Sequence, residues 1–270
     1  MKIQLTRSLW GVTDSWETCF PRFKRAGYSL IESPLPPIDQ RARFQNLLAE
    51  HGLGYVALIY TSGNTLKEHI ESFKSLVCDA LTLRPVLINS QDGRDAFDEA
   101  DAIKYFKAVL TIEPDLGLTV THETHRTRIF YNPWVTRRML ERFPAMKLCA
   151  DYSHWVVVAE RLLQDCEDIM QLCAERCLHI HARVGYEEGP QTPDPRAPEY
   201  ARHLEAHERW WKQACVAQAK RGHKTMTLTP EFGSPNYLHT LPYTNTPVAD
   251  LESICDWVAH REAKLLASRR

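Results

Sequence analysis

No apolar run in this chain approaches the roughly 20 residues that a membrane-spanning helix needs, so no membrane span is expected. There is no surplus of positive charge. Lys and Arg number 33 against 34 Asp and Glu, a formal net charge of −1, so composition supplies no phosphate-binding face and nucleic acid is not the expected partner. Neither GxGxxG nor GxxxxGK occurs, which removes the glycine-rich phosphate loops of open nucleotide-binding sheets. The cysteines (Cys19, Cys78, Cys149, Cys166, Cys173, Cys177, Cys215 and Cys255) form no C-x-x-C pair. Several fall on apolar faces of expected helices. Cys166, Cys173 and Cys177, for example, sit among Leu163, Met170 and Leu172, which reads as reduced, buried cysteine rather than a thiolate metal site. The N-terminal MKIQLTRSLWG has no apolar h-region, so a cytoplasmic location is expected. No low-complexity linker divides the chain.

What is present is a cycle of short apolar runs and longer amphipathic stretches. The expected strands are Ile3–Leu9, Ser29–Glu32, Gly54–Tyr60, Arg84–Asn89, Leu118–His122, Lys147–Asp151, Cys177–Ala182 and Thr225–Pro230. Each is short and apolar on both alternating faces, as a parallel strand covered on both sides should be. Between them the spacing predicts helices over Gln40–His51, Thr65–Leu81, Asp98–Thr111, Trp134–Arg142, Ala159–Arg176, Pro198–Arg221 and Val248–Ser268. Asn132-Pro133 places a proline in a first helical turn. Gly27, Gly52, Gly117 and Gly222 stand where left-handed C-caps are wanted. Eight β-then-α units in 270 residues predict an α/β fold, a single (β/α)8 barrel filling residues 1–270, close to the roughly 250 residues typical of that fold. The long irregular stretch Gly185–Pro198, with four prolines, follows the seventh strand and should lie on the functional face.

Functional residues of such barrels sit at the C-terminal ends of strands. Strands five to eight end in THETHRTR, ADYSHW, HIHARVG and LTPEFG. They aim Glu123, Asp151, His154, His181 and Glu231 at one mouth. Three carboxylates converging there would repel one another strongly. A divalent cation (Mn²⁺, Mg²⁺, Zn²⁺ or Co²⁺) removes that cost and suits the mixed Asp/Glu/His set. His122-Glu123-Thr124-His125 is not the HExxH zinc motif, because its histidines are three apart on a strand end. Strand alternation turns His122 away, as a structural residue. His179 is either a layer residue of the barrel or a hydrogen-bonding support for His181. Other residues expected near the mouth are Trp10, Glu32, Tyr60, Gln91, Asp92, Arg94, Tyr186 and His239. Trp10 offers either an apolar wall for a sugar or core packing. Asp92-Gly93 could equally be a turn. The Trp210-Trp211 pair suits barrel–helix packing or an oligomer contact, and a homodimer is one expectation.

The Glu after strand five, the D-x-x-H of Asp151 and His154, the H-x-H ending in His181 and the P-E-x-G around Glu231 together resemble the xylose isomerase-like barrel superfamily. That group comprises sugar phosphate isomerases/epimerases and endonuclease IV, and the resemblance covers nearly the whole chain. It implies one divalent ion, with Mn²⁺ favoured, on Glu123, Asp151, His181 and Glu231. It further implies Glu123 and Glu231 as an acid/base pair on opposite faces of a substrate carbon, and His154 as the holder of a substrate oxygen. Arg183, two residues past His181, is placed to stabilise negative charge, and Trp10, Gln91 and Tyr186 to contact a small carbohydrate or polyol substrate. The expected activity is a metal-dependent sugar isomerase or epimerase. A lyase or dehydratase using the same enolate is the alternative, and a DNA-repair endonuclease or a catalytically inactive sugar binder the remoter ones. The sequence departs from the ketose 3-epimerase branch after strand seven, where Glu187 replaces an expected Arg. It departs again after Glu123, where Arg126, Arg128 and Ile129 replace an expected carboxylate. The histidines and D-x-H of endonuclease IV are replaced by Glu32-Ser33-Pro34, Tyr60-Thr61-Ser62 and Asp194-Pro195-Arg196.

Overall fold

A computed structural model describes residues 1–267. Its strands are β1 (Lys2–Ser8), β2 (Leu30–Pro34), β3 (Gly54–Tyr60), β4 (Leu87–Gln91), β5 (Thr119–Glu123), β6 (Leu148–Ala150), β7 (Cys177–His181) and β8 (Thr225–Thr229). They close in chain order into a parallel barrel, β8 returning to pair with β1 through Lys2–Leu5 against Thr225–Leu228. The eight strands lie where the apolar runs predict them, with ends displaced by a few residues. The largest displacement is β4, which begins at Leu87 rather than Arg84, because Arg84 turns with φ 51° and cannot extend a strand.

The helices are α1 (Trp16–Arg25), α2 (Arg41–Glu50), α3 (Leu66–Leu81), α4 (Glu99–Val109), α5 (Pro133–Arg142), α6 (Ser153–Ala159), α7 (Glu167–Ala174), α8 (Ala201–Lys220) and α9 (Leu251–Ala267). Side-chain caps set four of their starts. Thr65 and Glu68 form a reciprocal capping box on α3. Asp98 and Asn132 accept the N–H of Asp101 and Val135, each satisfying one orphan donor of a first turn. Asp250 accepts from Ser253, which starts α9 three residues later than the periodicity predicts; Ser268 lies outside the described residues. The four expected glycines all adopt positive φ.

Two helix expectations need correction. The helix predicted over Ala159–Arg176 is only α7, Glu167–Ala174; Ala159 instead ends a separate helix, α6. Between them Glu160 and Leu163 take φ of 51° and 57°, left-handed values that end a helix. Leu162 and Leu163 keep the apolar spacing only because this turn folds back into the core. Helix α1 is additional, with Pro21 inside it. The carbonyl that loses its partner there belongs to Glu17, in the exposed first turn, where water replaces the bond at little cost.

Cys19, Cys149, Cys166, Cys173, Cys177, Cys215 and Cys255 are free and buried, and Cys78 is free and exposed. Trp210 and Trp211 are both buried, Trp210 edge-on to Tyr152, so packing rather than an oligomer contact explains the pair. No helix among the described residues is long and apolar enough to cross a membrane.

His122 faces outward, as alternation predicts, and ties two loops to β5. Its Nδ1 lies 2.7 Å from Asp92 and its Nε2 2.8 Å from Glu113. The Ser90 and Tyr105 hydroxyls hold the other Asp92 oxygen at 2.7 Å. Asp92 is thus a structural ligand of His122, not a residue of the mouth. Burial disfavours the imidazolium, but the two carboxylates outweigh it and lift His122 to about 10. His122→Ala leaves both carboxylates without their cation and is expected to cost about 3–5 kcal/mol in denaturant unfolding. With the folded pKa raised, this contribution is complete below roughly pH 6.5 and disappears as pH rises through the folded value.

Candidate metal centre

Glu123 is the last residue of β5 and His181 the last of β7. Asp151 follows β6 directly, and Glu231 lies two residues past β8. A parallel barrel brings the C-terminal ends of its strands to one rim. Ligand atoms of these four buried side chains all fall within 4.8 Å of one another.

His181 organises the cluster. Its Nε2 is 2.9 Å from Glu32 Oε1, while Nδ1, 3.0 Å from Glu231 and 3.7 Å from Glu123, makes no hydrogen bond although fully buried. Burial opposes the imidazolium, but the surrounding carboxylates raise His181 well above its usual range; Nε2–H faces Glu32, and Nδ1 faces Glu231 and Glu123, where a divalent ion would take the place of its proton. That orphaned nitrogen, with hard carboxylate oxygens around it, fits a divalent ion. Glu32 is itself fixed by Thr229 Oγ1 at 2.6 Å and by His179 Nε2 at 3.3 Å, so His179 is a support for the site. Asn89 and Gln91 donate to the two oxygens of Glu123 at 2.9 and 3.0 Å. Gln91 thereby orients a ligand as well as lining the cavity.

The carboxylates are electrostatically unequal. Burial, reinforced by Glu231, Asp151 and Glu32, pushes Glu123 up to about 8. Burial raises Asp151 as well, against the pull of Arg183. Glu231 is lowered: burial opposes its charge, and His181 and Arg183 prevail. Arg183 is the cation inside the cluster. Its Nη2 contacts Asp151, lies 3.4 Å from Glu231 and donates to His154 Nε2 at 2.7 Å, and its Nε donates to Ser153 at 3.0 Å. Burial, the facing His125 and Arg183 together hold the His154 imidazole well below its usual range, so it stays neutral.

Glu123, Glu231 and Arg183 open into a cavity of about 370 Å³ whose walls include Trp10, Tyr60, Gln91, His125 and Tyr237. A larger groove of about 630 Å³, along α7 and α8, has Glu167, Glu175, Arg209 and Lys212 in its wall and lies on the outer surface. It gathers no ligand cluster, and the barrel mouth is where the chemistry collects. Trp10 stands on the backbone of Gly233, where a Cβ would come 2.1 Å from the ring; this close approach requires the glycine of the P-E-x-G. Gln191, from the loop after β7, makes two hydrogen bonds to the Gly233 backbone and so pins the Glu231 turn.

Three sequence expectations change. His154 does not line the cavity; it lies behind His125, with ring centroids 3.9 Å apart. Tyr186 turns away to Tyr200 and to His239, its hydroxyl 3.3 Å from His239 Nε2. Arg94 is exposed. Asp194 is held by Arg196, so the alternative D-x-H position brings no further ligand. Glu32, expected near the mouth, is there as the support of His181. Sequence reading did not assign His125, Gln191 or Tyr237 to the site, because these come from loops with no periodic signal. Among the described residues two further groupings approach ligand spacing, Glu123–His125–His154 and Cys149–His179–His181. The first shares Glu123. The second depends on a Cys149 thiol that burial keeps protonated.

No protein-family model matches the sequence, and no curated protein matches it. Solved structures do. The probable 3-DHS dehydratase AsbF from Bacillus anthracis aligns over 100% of both chains at 14% identity, TM-score 0.58. A family 2 AP endonuclease from Brucella melitensis aligns over 96% of this chain and 99% of its own at 14% identity, TM-score 0.60. A sugar phosphate isomerase/epimerase from Parabacteroides distasonis aligns over 98% and 94% at 11% identity, TM-score 0.60. At such identities the likeness shows the fold alone, a closed (β/α)8 barrel.

Glu32→Gln keeps the shape of the side chain but weakens the Nε2–H acceptor. It is expected to lower Mn²⁺ affinity about 10–100-fold in calorimetric titration. A proton on Glu123 competes with the ion. Apparent Mn²⁺ affinity should therefore rise with pH, by up to about tenfold per unit, and level off above the Glu123 value.

Proposed function

We propose that this chain is a divalent-metal-dependent isomerase or epimerase of a keto-sugar or polyol-derived ketone, with Mn²⁺ the favoured ion. One observation carries the reading: Glu123 and Glu231 belong to the same four-residue cluster and both open into one cavity. A divalent ion on Glu123, Asp151, His181 and Glu231 would polarise a carbonyl and its neighbouring hydroxyl and so acidify the C–H between them. Glu123 and Glu231 are the acid/base pair: one removes that proton and the other returns one. Proton removal at one face of the carbon and return at the other inverts it; return at the neighbouring carbon isomerises the sugar. His181, backed by Glu32, and Glu123, backed by Asn89 and Gln91, hold this geometry without moving. Trp10 and Tyr237 form an apolar wall suited to sugar C–H faces and keep water from the enediolate.

Incubation of the Mn²⁺-loaded protein with ketoses in D₂O is expected to place deuterium at the carbon next to the carbonyl. Glu231→Gln should lower that exchange by at least about 100-fold while leaving the circular dichroism spectrum and melting temperature close to those of the parent. Exchange with retention of every oxygen marks isomerisation or epimerisation. Exchange with loss of water marks the dehydratase chemistry open to the same enolate. Absence of exchange on every ketone tried rejects the mechanism.

A further inference from the structure

The loop after β5 carries Arg126 and Arg128, and Arg126 packs on a residue of the cavity wall. The Arg126 guanidinium lies 5.2 Å from the centre of the Tyr237 ring, with Nη2 3.4 Å from the Tyr237 hydroxyl. The same ring has the Arg183 guanidinium 5.0 Å from its centre, and Trp10 stands edge-on to it at 4.7 Å. Tyr237, Trp10 and Arg183 all line the cavity.

The two guanidiniums have different obligations. Arg183 is committed to Asp151 and Glu231. Arg126 is partly buried, and no carboxylate among the described residues comes within ion-pair distance of it. Its neighbour Arg128 is engaged with the carbonyls of Thr61 and Gly93. Arg126 is therefore an unneutralised charge at the rim, held against an aromatic platform and repelled by the Arg183 charge on the same ring. A partly desolvated arginine in that position gains most from an anion, because its planar fork binds carboxylate or phosphate oxygens in pairs. A cavity of about 370 Å³ takes a monosaccharide-sized ligand. Glu123, Glu231 and Tyr237 line the same cavity, so a ligand of that size held at the two glutamates shares the wall on which Arg126 packs.

We propose that the substrate is an anionic keto-sugar, bearing a carboxylate or a phosphate monoester, and that Arg126 selects it. The proposal rests on the reading of this cavity as the substrate site.

The test uses three ketoses that differ only at C6, namely D-fructose, D-fructuronate and D-fructose 6-phosphate, titrated calorimetrically into the Mn²⁺-loaded protein. At least one anion is expected to bind about tenfold or more tighter than fructose, and the better of the two identifies carboxylate or phosphate as the group read. Arg126→Met should shrink that preference below about twofold while Mn²⁺ affinity, measured separately, stays within about twofold, because Arg126 touches no ligand. Arg126→Lys should retain part of the preference. Equal affinity for all three ketoses, including affinity too weak to measure, overturns the proposal, as does a preference that survives Arg126→Met. Deuterium exchange into fructose without anion preference removes this inference and leaves the enediolate reading standing. Anion preference with no exchange on any of the three does the reverse.

Discussion

Four carboxylates, Glu32, Glu123, Asp151 and Glu231, are buried at one rim of the barrel with His181 at their centre. Like charges at such separations cannot all ionise in a dry interior unless positive charge is supplied. Much of the molecule is arranged around that requirement. Arg183 reaches into the cluster from the loop after β7. His181 bridges Glu32 on one side and the Glu231 and Glu123 carboxylates on the other. The remaining excess of negative charge is what a divalent ion would neutralise.

The scaffold meets the demand with short, rigid supports. Each ligand stands on a strand or within two residues of one, so the barrel's closure sets their separations. Side-chain amides and hydroxyls then fix rotation: Asn89 and Gln91 on Glu123, Thr229 on Glu32, Ser153 on Asp151. The loop after β7 is long and rich in proline, yet Gln191 from its centre returns to grip the Gly233 backbone. A segment that reads as irregular is thus part of the support for Glu231. The outer face repeats the logic on a smaller scale, where His122 neutralises Asp92 and Glu113 and anchors the β4 and β5 connections.

The cavity shows a second level of charge design. One arginine is held inside the cluster, and another, with no carboxylate within ion-pair distance among the described residues, packs on the same tyrosine. The first lowers the cost of assembling the cluster, and the second carries the proposed anion selectivity. The two residues look alike in sequence, and only their partners in space separate them.

The barrel was legible in the sequence because strand and helix periods are local. An apolar run of five residues between caps and glycines reads as a buried strand wherever it falls, and the eight such runs became the eight strands. The four clustered side chains were legible for a related reason, since each is at or just past the end of a strand and parallel closure sends all such ends to one rim. Where a signal was ambiguous locally, the reading failed: Leu162 and Leu163 continue a helical spacing through a left-handed turn, and Pro21 conceals a helix. The partner of Glu32, the roles of Gln191 and Tyr237 and the different partners of Arg126 and Arg183 were beyond sequence, because each takes its meaning from residues about 30 or more positions away. The sequence determined the elements and which side chains face the rim. The tertiary structure alone decided which charges meet, which stay unpaired and which ring they share, because electrostatic energy depends on distance in space and carries no period along the chain.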